Sequence, residues 1–269
     1  MVGNLSDNNG GGDATGAVTS AGTLALLGRA RVIPVIRRPD PDSAVKACAA
    51  MTELGRQAVR VSPDAAGWPE VIELTATTPD WPRVFAQVRR ALAGAAAASG
   101  ADGHVESAAD GLGGRAVIGL GTVTDGRTAE EAVRAGAGFL VSPFPVPEVR
   151  AVADAAGIPF IEGGYTPGEL AASTRVGVAK LFPAAPAGPG YLRSVLEVLP
   201  GALVIPTGGI AVGRVGDWLA AGAYAVGVGG GLGGQPNAAE QLAAALAGRP
   251  ALTGRPATPS GQPDPAGRP

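Results

Sequence analysis

Of 21 basic residues only two are lysines, Lys46 and Lys180, so wherever a solvated positive charge suffices the chain uses arginine. Lys180 lies in the apolar run Val176-Gly177-Val178-Ala179-Lys180-Leu181-Phe182-Pro183, which reads as a short buried strand closed by proline. Desolvation lowers the pKa of an ammonium. A neutral amine can attack a carbonyl carbon to form a Schiff base, which a guanidinium that stays charged cannot do. The competing reading is a lysine that snorkels to water or pairs with a carboxylate at a strand end.

A carboxylate suited to pair with that amine lies in Val71-Ile72-Glu73-Leu74-Thr75, where the strand period of two puts Glu73 and Thr75 on one face and Ile72 and Leu74 on the other. A carboxylate that points inward is costly unless it is paired, hydrogen-bonded or used. Beside a lysine from another strand end it makes an acid/base couple, or a static ion pair without turnover. Gly119-Leu120-Gly121-Thr122-Val123 supplies a hydroxyl at a third strand end. Pro206-Thr207-Gly208-Gly209-Ile210 and Gly229-Gly230-Gly231-Leu232 carry glycine pairs after two late strands. Barrels bind phosphate at those positions, through backbone N–H groups and a helix N-terminus.

The remaining chemistry is narrowed by what the chain has little of. His104 is the only histidine and lies in the Gly/Ala/Asp stretch Ser99 to Gly114; Cys48 is the only cysteine and lies in the apolar run Ala47-Cys48-Ala49-Ala50. Histidine-dependent nucleophilic catalysis and a histidine-rich metal site therefore lack their residues, and no metal or cofactor is expected. Cys48 reads as a buried, inert thiol with no intrachain disulfide partner. A net charge of −2 without a basic stripe argues against nucleic acid and an anionic membrane surface. No stretch approaches about 18 uninterrupted apolar residues, and the Gly-rich start does not resemble a signal peptide, so a cytoplasmic location is expected.

The elements that must hold these residues are eight apolar runs: Val32–Ile36, Val71–Thr75, Val117–Gly121, Phe139–Ser142, Pro159–Glu162, Val178–Phe182, Leu203–Pro206 and Ala225–Gly229. Helical stretches fall between and after them, at about 41–55, 79–98, 127–135, 146–156, 168–175, 189–199, 211–221 and 236–247. Eight βα units in 269 residues predict a (β/α)8 TIM barrel, with its site at the carboxyl ends of the strands. The barrel is expected over 23–248, between a disordered tail at 1–22 and a Pro/Gly-rich tail at 249–269. Insertions are expected at about 56–69 and 95–115; within the first, Ala58–Ser62 competes with the favoured Val71–Thr75 for the second strand.

Taken in order, Val71-Ile72-Glu73-Leu74-Thr75, Gly121-Thr122-Val123, Ser142-Pro143, Lys180-Leu181-Phe182-Pro183 and Pro206-Thr207-Gly208-Gly209-Ile210 resemble the class I aldolases of the 2-dehydro-3-deoxy-phosphogluconate (KDPG) and 4-hydroxy-2-oxoglutarate (KHG) type. The resemblance covers about residues 24–247 without the insertions. It implies a homotrimer of barrels, at work in the Entner-Doudoroff pathway, that cleaves a 2-keto-4-hydroxy acid into pyruvate and an aldehyde without metal. Lys180 would form the Schiff base, and Glu73 would act as general acid/base through water. Thr122 would bind the pyruvate carboxylate, with Thr75, Pro143 and Phe182 in the substrate site. Thr207 would lie near the aldehyde portion, and Gly208, Gly209, Gly229 and Gly230 would border a phosphate.

The chain departs from its relatives at three places. Many relatives carry a carboxylate-gripping arginine where this chain has Thr77, and Arg37, just after the first strand, is the candidate replacement. Gly231 stands where some relatives have a serine, and Glu162 is expected to add a second carboxylate near the site. Two other readings use the same residues: a phosphate-binding barrel isomerase or synthase, and a catalytically silent sugar-acid-phosphate binder.

Overall fold

A computed structural model describes residues 20–62, 71–98, 117–230, 232 and 237–247. The eight strands are β1 (Val32–Ile36), β2 (Val71–Thr75), β3 (Val117–Gly121), β4 (Leu140–Val141), β5 (Phe160–Gly164), β6 (Val178–Leu181), β7 (Leu203–Pro206) and β8 (Val226–Val228). They pair in parallel in the order β7-β6-β5-β4-β3-β2-β1-β8. A single parallel bridge, Thr207 to Gly227, joins the two outer members and nearly closes the barrel.

Nine α-helices are described: α1 (Ser20–Ala30), α2 (Pro41–Val61), α3 (Trp81–Ala98), α4 (Gly126–Ala135), α5 (Pro147–Ala156), α6 (Pro167–Thr174), α7 (Ala184–Val198), α8 (Val215–Ala220) and α9 (Ala238–Leu246). Their starts are written locally. Asp40 and Asp125 accept backbone N–H groups of Ser43 and Thr128 as N-caps of α2 and α4, and Thr166 and Glu169 form a reciprocal capping box on α6.

Alternation along each strand divides the apolar residues into two cores. Ile33, Val71, Val117, Phe139, Val141, Ile161, Val178 and Ile205 fill the barrel, whereas Val32, Ile72, Leu74, Ile118, Leu120, Leu140, Ala179 and Leu181 pack outward under the helices. Above the inner apolar layer the inward positions change to Glu73, Gly119, Gly121, Gly163 and Lys180. The register pairs Glu73 with Gly119, Thr75 with Gly121, and Lys180 with Gly163. Small residues at this level leave the upper barrel open.

Helix α1 closes the other end. Leu26, Leu27 and Ala30 are buried against the inner core. Tyr224 donates its hydroxyl to Leu24 O at 2.8 Å and packs where a Cβ on Gly28 would stand. The sequence pattern predicts no helix here and a tail through residue 22; the structure begins α1 at Ser20. The competing strand Ala58–Ser62 is instead the last turn of α2 and its cap, so part of the first expected insertion is helix. Residues 95–98 likewise continue α3. The remainder of both insertions, with His104, and the expected tails at 1–19 and 249–269 lie outside the described residues, as does Gly231. Helix α7 starts at Ala184, earlier than expected, and kinks at Gly188 before Pro189.

Candidate active site

Inward alternation brings Lys180 from β6 and Glu73 from β2 to the floor of a cavity of about 760 Å³ at the carboxyl ends of the strands. Lys180 Nζ lies 3.7 Å from Glu73 Oε1, and both side chains are about 5% exposed. That separation is an ion pair rather than a hydrogen bond, and Glu73 Oε1 has no hydrogen-bond partner among the described atoms. A buried carboxylate oxygen without a donor is costly, so this geometry suits a group that receives and returns protons. The amine also sits 5.2 Å from the centroid of the Phe182 ring.

Gly121 is a structural requirement of this couple, because a Cβ there would overlap the Glu73 carboxyl group. Gly163 faces the lumen beside Lys180, where any Cβ would meet the backbone of Ser142 and Pro143. The sequence gives no direct signal for either role; only the register of the closed barrel reveals them.

The walls carry the other expected residues. Thr122 follows β3 with a φ of +58°, a left-handed conformation unusual for a β-branched residue and found at functional sites. Its hydroxyl accepts a hydrogen bond from Arg37 Nη2 at 3.3 Å, so the guanidinium and the hydroxyl meet at the rim. Pro143 and Phe182 line one side, and Thr207 with Gly208 and Gly209 the next. Gly229 and Gly230 complete the circle, joined by Val35, Pro183, Ala185 and Pro186, to which the sequence assigns no role in the site.

Two expectations change. Thr75 is fully buried and does not line the cavity, because its hydroxyl turns away to Ile36 O and to Thr77 and Thr78. Glu162 lies outside the barrel, since alternation puts its neighbours Ile161 and Gly163 inward. Its carboxylate accepts from Val146 N at 3.1 Å, Arg150 at 2.9 Å and Ser173 at 3.4 Å, bracing α5 and α6. It is therefore no second carboxylate of the site.

Cys48 is buried between α2 and α3, where desolvation pushes its thiol up to about 12, an unreactive value. Among the described residues no group of three or more His, Cys, Asp or Glu could share a metal ion. No described helix is long and apolar enough to cross a membrane.

The family model for KDPG and KHG aldolases matches residues 105–241 of this chain, just over half of it. The chain belongs to that aldolase family. The matched residues include Thr122, Lys180, Thr207 and both glycine pairs; Arg37 and Glu73 lie before them. A 2-dehydro-3-deoxy-phosphogluconate aldolase from Pseudomonas aeruginosa is 36% identical over 106 residues, which is 38% of this chain and 48% of that protein. The chain matches about half the length of its curated relatives, between 48% and 60%.

Among solved structures, a 4-hydroxy-2-oxoglutarate/2-dehydro-3-deoxyphosphogluconate aldolase from TTHB1 is 27% identical with a TM-score of 0.58, covering 83% of this chain and 94% of its own. The KDPG aldolase of Legionella pneumophila, solved with pyruvate captured as a covalent carbinolamine, shares the fold at a TM-score of 0.59 and 22% identity, covering 85% of this chain and 97% of its own.

Proposed function

We propose that this aldolase-family chain is a class I, metal-independent lyase that cleaves a 2-keto-4-hydroxy acid of the KDPG or KHG type into pyruvate and an aldehyde. The observation that carries the reading is the Lys180–Glu73 couple, a buried amine 3.7 Å from a carboxylate oxygen at the floor of an open cavity. A Legionella relative that traps pyruvate covalently supports it.

The residues divide the chemistry among themselves. Glu73 takes a proton from the Lys180 ammonium, the freed amine attacks C2 of the keto acid, and Glu73, through water, moves the protons that turn the carbinolamine into a protonated imine with loss of water. Glu73 then takes the proton of the C4 hydroxyl. The C3–C4 bond breaks, its electron pair flows into the imine to give an enamine, and the C4 oxygen becomes the carbonyl of the departing aldehyde. Protonation of the enamine at C3 and hydrolysis of the imine release pyruvate and restore the lysine. Thr122 and Arg37 receive the substrate carboxylate, Thr207 faces the aldehyde portion, and Gly208, Gly209, Gly229 and Gly230 border any phosphate. A cytoplasmic homotrimer in the Entner-Doudoroff pathway belongs to the same proposal.

The test is reduction with borohydride in the presence of pyruvate, followed by peptide mapping. A carboxyethyl adduct is expected on Lys180 and not on Lys46, which is exposed on α2. An adduct on Lys46 alone, or none, removes the basis of the reading. A phosphate-binding isomerase and a silent binder both predict no adduct.

A further inference from the structure

Thr75 faces the same way as Glu73 along β2, yet it is fully buried and touches no part of the cavity. Its hydroxyl donates to Ile36 O at 3.3 Å, the carbonyl directly before Arg37, and stands 3.0 Å from Thr77 Oγ1 and 3.5 Å from Thr78 Oγ1. A hydroxyl has one proton and two lone pairs. With the Thr75 proton on Ile36 O, the two neighbouring threonines donate into Thr75, and all three hydroxyls are directed toward the end of β1.

The β1–β2 register runs to Ile36 and Leu74. Arg37 leaves the strand at the next residue, just where Thr75 holds the preceding carbonyl. Arg37 then donates to Thr122 at 3.3 Å. A continuous set of contacts therefore crosses the mouth from the β2–α3 turn, over the end of β1, to the end of β3.

We propose that Thr75 is a positioning residue for substrate binding. By holding Ile36 O it fixes the direction in which Arg37 leaves β1, and so keeps the guanidinium beside Thr122, where the two receive the carboxylate of a 2-keto acid. The inference rests on the aldolase reading above. An arginine side chain loses much rotamer freedom on binding an anion, and a fixed backbone origin together with a hydrogen bond to Thr122 removes part of that loss in advance. Thr75 itself touches no reacting atom, so its loss affects the concentration at which substrate binds and not the chemistry at Lys180.

The experiment measures the initial rate of borohydride trapping at Lys180 against pyruvate concentration. Thr75→Val raises the half-saturating pyruvate concentration roughly three- to tenfold, the scale of one neutral hydrogen bond, and leaves the rate at saturating pyruvate as in the wild type. Thr75→Ala shifts it in the same direction, and Thr75→Ser, which keeps the hydroxyl, restores it. Combined with Arg37→Ala, the Thr75→Val change adds nothing further, because it acts only through that arginine. An unchanged half-saturation in both hydroxyl-free variants, or additive effects in the double variant, overturns the assignment. An Arg37→Ala variant with wild-type half-saturation overturns it too, while leaving the aldolase reading standing. Only a wild-type protein that traps no pyruvate at Lys180 removes that reading as well.

Discussion

Gly121 leaves the space that the Glu73 carboxylate occupies: the two lie on neighbouring strands, and a Cβ on the glycine would overlap Glu73 Oε1. The position of Glu73, the proposed acid/base group, is thus set partly by a residue with no side chain. Gly121→Ala must displace the carboxylate from the lysine, so turnover should fall toward that of Glu73→Gln, roughly 10² or more below wild type. The overlap should also cost about 1–3 kcal/mol of stability, and this cost should shrink when Glu73 is truncated to alanine. Turnover and thermal denaturation of the single and double variants check both points. Wild-type turnover in Gly121→Ala would show that the carboxylate can work from elsewhere.

The barrel was legible because each strand announced itself as an apolar run and its alternation named the inward residues. Helix α1 was not, because Thr23-Leu24-Ala25-Leu26-Leu27 follows directly on a Gly-rich stretch that reads as a tail, and its apolar face is explained only by the barrel end it covers. Thr75 was read onto the correct face, but a strand-end hydroxyl can turn to the neighbouring strand's carbonyl, and no spacing rule reports that. Glu162 was misplaced because its partners, Arg150 and Ser173, come from two helices that only the fold brings together.

Helix α1 provides a stability prediction independent of the chemistry. Leu27 is fully buried in the inner core, on the far side of the apolar layer from Lys180. Leu27→Ala should cost about 2–5 kcal/mol in denaturant unfolding while the folded enzyme keeps its KM. An exposed-residue cost well under about 1 kcal/mol would mean that α1 is not a fixed part of the barrel.

The proposed Schiff-base mechanism predicts activity without metal: a Lys180 imine would supply the electron sink for carbon–carbon cleavage, so that no Lewis acid is required, and Glu73 is the one carboxylate among the described residues that line the cavity. Activity should be unchanged after exhaustive chelation and dialysis. Activity that disappears and returns only with added zinc or magnesium would contradict the imine mechanism.

Arg37 and Arg38 are adjacent in sequence, and the structure places their side chains differently. Arg37 lines the cavity and donates to Thr122, whereas Arg38 turns back to donate to Arg37 O at 3.0 Å and does not line the cavity. A 2-keto acid needs its carboxylate neutralised, since an anion left unpaired in a partly desolvated site costs several kcal/mol. Thr77 is exposed, and its hydroxyl is engaged with Thr75. Arg37, which donates to Thr122 and lines the cavity, is the cation that the proposed reading assigns to the carboxylate. Arg37→Ala should raise KM roughly tenfold or more, the scale of a lost charged hydrogen bond, with a small effect on kcat. Arg37→Lys should recover only part of this, because an ammonium keeps the charge and loses the planar fork. Arg38→Ala should leave KM within about twofold, as expected for a residue outside the cavity. Steady-state kinetics on the three variants decide the matter: equal, small changes in Arg37→Ala and Arg38→Ala would assign the carboxylate to other groups.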